Sequence, residues 1–111
     1  MMTLLDWLRS RTPAPPPALM ERIVEALGRR AEDDASRAAA LCLDAATGLL
    51  ERLLQPDALG RDSAIDLLAA DALVTYAFEA AAADIAKLDD RATAAMTRLG
   101  ALAGEPTSPD A

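Results

Sequence analysis

The 111-residue chain has no histidine, one cysteine and one lysine, so most of the side chains that enzymes use are missing. Ser-His-Asp and Cys-His catalytic sets and histidine metal sites are excluded, because each of them requires an imidazole. A single cysteine excludes an internal disulfide, and Cys42 lies on an apolar helix face, where a thiol usually packs as a small hydrophobe. We therefore expect no enzyme activity, no catalytic residue, no metal and no cofactor.

Basic residues are also scarce, since 11 Lys and Arg stand against 18 Asp and Glu and give a net charge of −7. We expect no nucleic-acid binding, because that requires clustered basic residues to neutralise phosphates. No run of about 18 uncharged apolar residues is present, and the longest candidate, residues 72–83, contains Glu79, so no transmembrane segment is expected. The first eight residues carry Asp6 and lack a basic start, unlike a secretory signal, so we expect a cytoplasmic protein.

Strand-forming residues are few, and no segment alternates apolar and polar residues for long. Apolar residues instead recur at spacings of three and four, which is typical of helices that bury one face. Hydrophobic residues make up 52% of the chain and 27 positions are alanine, which lets helix axes approach closely. We predict an all-α fold, a small bundle of about four helices with a short N-terminal helical arm on a Pro-rich linker.

Local start and stop signals predict the helix boundaries. Thr3 and Asp6 have the spacing of a capping box, which predicts a helix over about 4–10. Four prolines between residues 13 and 17 exclude a helix there, whereas Pro17 suits the first position of a next helix that Gly28 ends. The predicted organisation is an arm at 1–12, a linker at 13–17, a bundle at 18–103 and a disordered tail at 104–111, with helices at 17–28, at 34–54, from 63, and a last amphipathic helix to about 103. Residues 84–90 are polar enough for a break or a new cap, and whether the helix from residue 63 continues into the last helix stays open.

Carboxylates are the only abundant reactive side chains. The pairs Asp33–Asp34 and Asp89–Asp90 lie where helices are predicted to begin, so we expect them to interact favourably with helix N-termini. A polar stripe on the helix from residue 63 spreads along about 25 Å, which favours a solvated face over a Mg²⁺ site. The stripe consists of Asp62, Asp66, Asp71, Thr75 and Glu79.

Apart from that stripe, the helix from residue 63 is apolar around its circumference. Such a helix is expected to be the buried, central helix of the bundle, with Phe78 as one of its core rings. Its apolar surface is the candidate face for an apolar ligand or for a dimer partner. The residues assigned to this face are Leu68, Leu73, Tyr76 and Phe78.

The arm carries the single tryptophan, Trp7, on a helix too short to bury the indole within its own turn. The arm therefore requires a docking site. Three sites remain open, namely a groove on the chain's own bundle, a second protein or second copy of the chain, and a membrane interface. The candidate partner-binding residues of the arm are Leu4, Leu5, Trp7 and Leu8.

The segment 67–79, which reads LLAADALVTYAFE, resembles a segment of trans-isoprenyl diphosphate synthases that reads approximately L-A-G-D-A-L-L-x-x-A-F-E. In that family the segment is a buried helix lining the bundle around the prenyl chain, so the resemblance implies an apolar ligand between helices. The family's catalysis depends on two DDxxD motifs that hold Mg²⁺ and the diphosphate. The segments 33–37 and 89–93 both lack the final aspartate, and Ala70 stands where the family has glycine. Only Asp71 corresponds to the motif's aspartate, and no catalytic residue is carried over.

The chain thus combines a surplus of apolar residues with little reactive chemistry. The leading hypothesis is a non-catalytic, all-α interaction or accessory module that displays apolar helix faces to a second copy of itself or to another protein. The alternative is a small carrier or accessory protein that holds a long apolar, isoprenoid-like small molecule between its helices. An enzyme of diphosphate chemistry with Mg²⁺ ranks third.

Overall fold

The computed structural model describes residues 1–57, residue 60 and residues 63–104. These residues contain no strand, only one isolated antiparallel bridge between Thr3 and Asp34. The predicted all-α fold is confirmed. The helices are α1 (Leu4–Arg9), α2 (Pro17–Leu27), α3 (Ala38–Leu53) and α4 (Ser63–Gly104), with short 3₁₀ helices at Gly28–Glu32 and Ala35–Arg37.

The boundaries of α1 and α2 follow the local signals of the sequence. The Asp6 backbone N–H donates to Thr3 Oγ1 at 3.1 Å and the Thr3 backbone N–H donates to Asp6 Oδ2 at 3.2 Å, which completes the predicted capping box. Pro17 is the first residue of α2, where its missing N–H removes no helical hydrogen bond. Gly28 follows α2 with φ of 55°, a left-handed value that favours glycine. The predicted starts and the predicted stop are confirmed.

The predicted start of the third helix, at about residue 34, is too early. The Asp34 side chain caps the second 3₁₀ helix instead, because its Oδ1 accepts from the Ser36 backbone N–H at 2.8 Å. Asp33 accepts from the Asp34 backbone N–H and from the Arg37 guanidinium, each at 2.7 Å. Such side-chain bonds compete with helical backbone bonds, and the regular helix begins only at Ala38.

Beyond residue 63, α4 is one continuous helix, so of the two alternatives left open by the sequence the structure has the one without a break. The segment 84–90 contains neither glycine nor proline, and polar side chains alone do not interrupt the backbone hydrogen bonds of a helix. Asp89 and Asp90 therefore lie inside α4, and the prediction that they face a helix N-terminus is wrong. Residues 105–111 of the predicted tail lie outside the described residues.

Two compact units make up the chain, Met1–Ala80 and Ala81–Ala111. The first unit contains the arm, the linker, α2, α3 and the beginning of α4. Its core takes side chains from all four helices. The largest fully buried ones are Leu4, Leu8, Ile23, Leu27, Cys42, Leu49 and Leu73.

The part of α4 that belongs to the first unit has one buried side. Leu73 is fully buried and Tyr76 is 7% exposed, whereas Leu68 and Phe78 are 57% and 71% exposed. The remaining helices of this unit are short, with 6, 11 and 16 residues, and they cover only that side. The predictions that this helix is buried on most sides and that Phe78 is a core ring are wrong.

Candidate functional site

The N-terminal arm packs on the chain's own core. Leu4 and Leu8 are fully buried, and Leu5 and Trp7 are half-buried against the same cluster. The backbone fixes the start of the arm, because the Leu4 N–H donates to the Asp33 carbonyl at 2.8 Å. The Ala35 N–H donates in turn to the Met2 carbonyl at 2.9 Å. The sequence leaves three docking sites for the arm open, and in the structure the arm occupies the groove on the chain's own bundle.

Trp7 is held between an aromatic ring and a cation. Its ring meets the Tyr76 ring edge to face, with centroids 6.1 Å apart and planes at 79°. The Arg11 guanidinium carbon lies 4.6 Å from the Trp7 ring centroid, within range of a cation–π contact. Arg11 also forms an ion pair with Glu79 of α4 at 3.6 Å. The sequence analysis missed Arg11, although it lies four residues after Trp7, the spacing of neighbours on a helix.

These contacts determine which side chains of the arm are accessible to another molecule. Leu4 and Leu8 are inaccessible to another molecule while the arm is docked, and Trp7 exposes only part of its ring. Their positions supply core contacts within the chain. Any surface that the chain offers to another molecule therefore consists of side chains that the docked arm leaves exposed.

Several charged side chains of the first unit form ion pairs. The Arg22 guanidinium of α2 donates to Asp66 of α4, and this bond raises the pKa of Arg22. Arg22 also contacts Glu25 at 3.2 Å. Of the predicted polar stripe, Asp71, Thr75 and Glu79 are exposed, while Asp62 lies outside the described residues. The described residues contain no group of three His, Cys, Asp or Glu side chains placed to hold a metal ion.

Burial keeps the Cys42 thiol and the Tyr76 phenol in their neutral forms. Burial raises the pKa of the Cys42 thiol to about 11, so at neutral pH the sulfur is protonated and weakly nucleophilic. Burial also raises the pKa of Tyr76, and the nearby Glu79 carboxylate acts in the same direction. Both groups belong to the packed core around the arm.

The predicted ligand or dimer face on α4 is not one surface. Leu73 and Tyr76 lie in the core, whereas Leu68 and Phe78 are exposed. The sequence analysis did not separate these sides because the segment is apolar all round. Which side faces the core is decided by the partners that α4 meets in the folded chain.

One exposed apolar surface lies on the first unit. Leu50 of α3 and Leu67, Ala70 and Val74 of α4 line an open depression of about 210 Å³ together with Asp71. We call these five residues the α3–α4 groove. Leu43 on the same helix, seven residues before Leu50, and Leu54, directly after the end of the helix, are also exposed.

A second exposed apolar surface lies on the second unit. Every residue of α4 from 82 to 103 is exposed, and the five large apolar side chains among them are 64% to 83% exposed. In the predicted last helix of the bundle an apolar face would be buried, so the exposure of these side chains differs from that expectation. The α4 stripe, as we call this surface, consists of Ile85, Leu88, Met96, Leu99 and Leu102.

Among the residues that the structure describes, no helix is long and apolar enough to cross a bilayer. No protein-family model, curated protein or solved structure matches the chain. The function must therefore be inferred from the surfaces themselves.

Proposed function

We propose that the protein is a non-catalytic, self-associating all-α interaction module, and that the α4 stripe is its association surface. The observation that carries this proposal is the exposure of five large apolar side chains over 18 consecutive residues of one helix, Ile85 to Leu102. Burial of each such side chain contributes about 1.5 to 3 kcal/mol, so leaving all five in water is costly. Contiguous exposed apolar surface of this kind is typical of interaction sites.

The instability of a lone helix supports the same proposal. Isolated helices derive little stability from propensity alone, and most helices in proteins depend on packing of an apolar face. The alanines of residues 81–103 favour a helix, but none of the side chains from 82 to 103 is buried. A partner that covers the α4 stripe would supply the missing packing.

The α3–α4 groove supports a second candidate, a carrier of a long apolar small molecule. Its lining is mostly aliphatic, as an apolar ligand requires. Its volume of about 210 Å³ is below the roughly 300 to 1,000 Å³ of ordinary ligand pockets, which is why we rank it second. A lipid-like adduct retained in the native mass spectrum of the purified protein would favour the carrier.

Light scattering on a matched pair of variants tests the leading proposal. Leu99→Asp places a charge in the α4 stripe, whereas Ala94→Asp places the same charge on another side of the same helix. We expect the unmodified 11.6 kDa chain and Ala94→Asp to give a dimer mass at concentrations of roughly 100 μM, and Leu99→Asp to remain monomeric.

Both positions are exposed in the single chain, so neither substitution removes a core contact. Near-UV circular dichroism of Trp7 and Tyr76, whose rings are in contact within the first unit, serves as the folding control. A monomer mass for the unmodified chain over the whole concentration range would contradict the proposed function.

A further inference from the structure

The apolar positions of α4 beyond residue 80 follow a seven-residue repeat. From residue 81 they recur after four and three residues alternately, the spacing by which two helices pack along a common line. The repeat combines large and small side chains, and all but the half-buried Ala81 are exposed. Its positions are Ala81, Ile85, Leu88, Ala92, Ala95, Leu99 and Leu102.

The sizes of these side chains favour one relative direction of two copies. In a parallel pair each position meets itself, so the successive alanines 92 and 95 would face alanines and leave space beside the leucine layers. In an antiparallel pair centred on residue 90, Ile85 meets Ala95 and Leu88 meets Ala92 of the second copy. Leu99 likewise meets Ala81. Each of these layers pairs one large with one small side chain, so the two helix axes keep a constant separation.

The charges beside the repeat favour the same direction. A parallel pair places Asp84 beside Asp89 of the second copy, and this repulsion occurs twice. The antiparallel pair centred on residue 90 places Asp84 beside Arg98 of the second copy, and this attraction occurs twice. Like charges meet only at its centre, where Asp89 and Arg91 each lie beside their own counterparts.

The neighbouring antiparallel register is less favourable on both counts. A shift by one repeat brings Leu88 opposite Leu99 and Ala92 opposite Ala95, so the separation required by the side chains varies along the pair. It also places Arg91 beside Arg98 of the second copy, twice. Size and charge therefore both favour the register centred on residue 90 over this shifted one.

We infer that residues 81–99 of α4 pair with the same segment of a second copy of the chain, in antiparallel orientation and centred on residue 90. This inference rests on the proposed function, because it assigns the partner and the geometry of the α4 stripe. The paired segments are about 30 Å long, and the layers between the helices bury three of the five large side chains of the stripe, Ile85, Leu88 and Leu99.

Variants of the full chain with one added cysteine test the geometry. Arg91→Cys places the new thiol beside its counterpart, whereas Leu102→Cys places the two thiols about 36 Å apart at opposite ends of the pair. Under mild oxidation we expect most Arg91→Cys chains to become disulfide-linked dimers. The unmodified chain, whose Cys42 is buried, and Leu102→Cys should remain unlinked.

A charge exchange provides an independent test. Arg98→Asp puts two carboxylates side by side at two places, and we expect it to weaken dimerisation about tenfold. Adding Asp84→Arg to this variant restores opposite charges and should restore the dissociation constant. An unchanged dissociation constant in Arg98→Asp would contradict the inferred register.

The outcomes separate this inference from the proposed function. Linked Leu102→Cys chains would show a parallel pair, and preferential linkage between Arg91→Cys and Arg98→Cys chains would show the shifted register. Either result overturns the inferred geometry and leaves self-association intact. A monomer mass in light scattering overturns both.

Discussion

At the scale of single residues, the contacts of Trp7 decide the role of the arm. The indole meets Tyr76 of α4 and lies under Arg11, and Arg11 is in turn paired with Glu79 of α4. Trp7 thus contacts α4 directly through Tyr76, and its cation–π partner Arg11 reaches α4 through Glu79. The aromatic contact and the cation–π contact are each worth about 0.5 to 1.5 kcal/mol. The arm is a structural part of the first unit.

We predict that Trp7→Ala lowers the free energy of unfolding by about 2 to 3 kcal/mol, because it removes a large half-buried ring and its two partners' contacts. Trp7→Phe retains a ring against Tyr76 and should lose less than half of that. Urea unfolding followed by far-UV circular dichroism measures both, since Trp7 is the only tryptophan and its fluorescence disappears with it. Equal stability of Trp7→Ala and the unmodified chain would show that the arm is not docked in solution.

At the scale of the element, α4 has different surroundings along its length. Up to Ala80 one side of the helix is buried in the first unit, and from residue 82 to residue 103 the whole circumference is exposed. Burial along this helix therefore does not follow hydrophobicity, since Leu73 is buried while Leu68 and Phe78 are exposed. Substitutions of one residue type should consequently have different effects at different positions.

Leu73→Ala and Leu68→Ala form a matched pair for this expectation. Leu73 is fully buried, so we expect its truncation to cost about 2 to 5 kcal/mol through lost burial and a cavity. Leu68 is 57% exposed, and its truncation should cost less than about 1 kcal/mol. Chemical unfolding at low protein concentration compares the two, and similar losses would mean that the buried side of α4 is assigned incorrectly.

The helices differ in how far the sequence predicts their boundaries and their burial. The capping box at Thr3, the start at Pro17 and the stop at Gly28 are predictable, because each depends on hydrogen bonds or backbone angles within a few residues. The exposure of Phe78 is not, because it depends on which helices are left to cover α4. The α4 stripe is visible in the sequence as apolar spacing, but its exposure appears only once the helix is seen to continue past residue 84.

At the scale of the whole molecule, the negative charge is unevenly distributed along the chain, and the segment 81–103 carries none of the net charge. The chain carries a net charge of −7, which opposes association of identical chains. Residues 81–103, however, contain three acidic residues, Asp84, Asp89 and Asp90, and three basic residues, Lys87, Arg91 and Arg98. The segment with the exposed apolar stripe is therefore electrically neutral, and its pairing adds little repulsion.

Amide hydrogen exchange measured at several protein concentrations tests the central claim, that the α4 stripe is the surface of self-association, most directly. A lone exposed helix opens readily, whereas a paired helix is protected by mass action. We predict that protection of amides 82–103 rises with protein concentration while that of the core amides of residues 1–80 stays constant. Protection of 82–103 that is independent of concentration, or a concentration-dependent increase confined to residues 1–80, would contradict the claim.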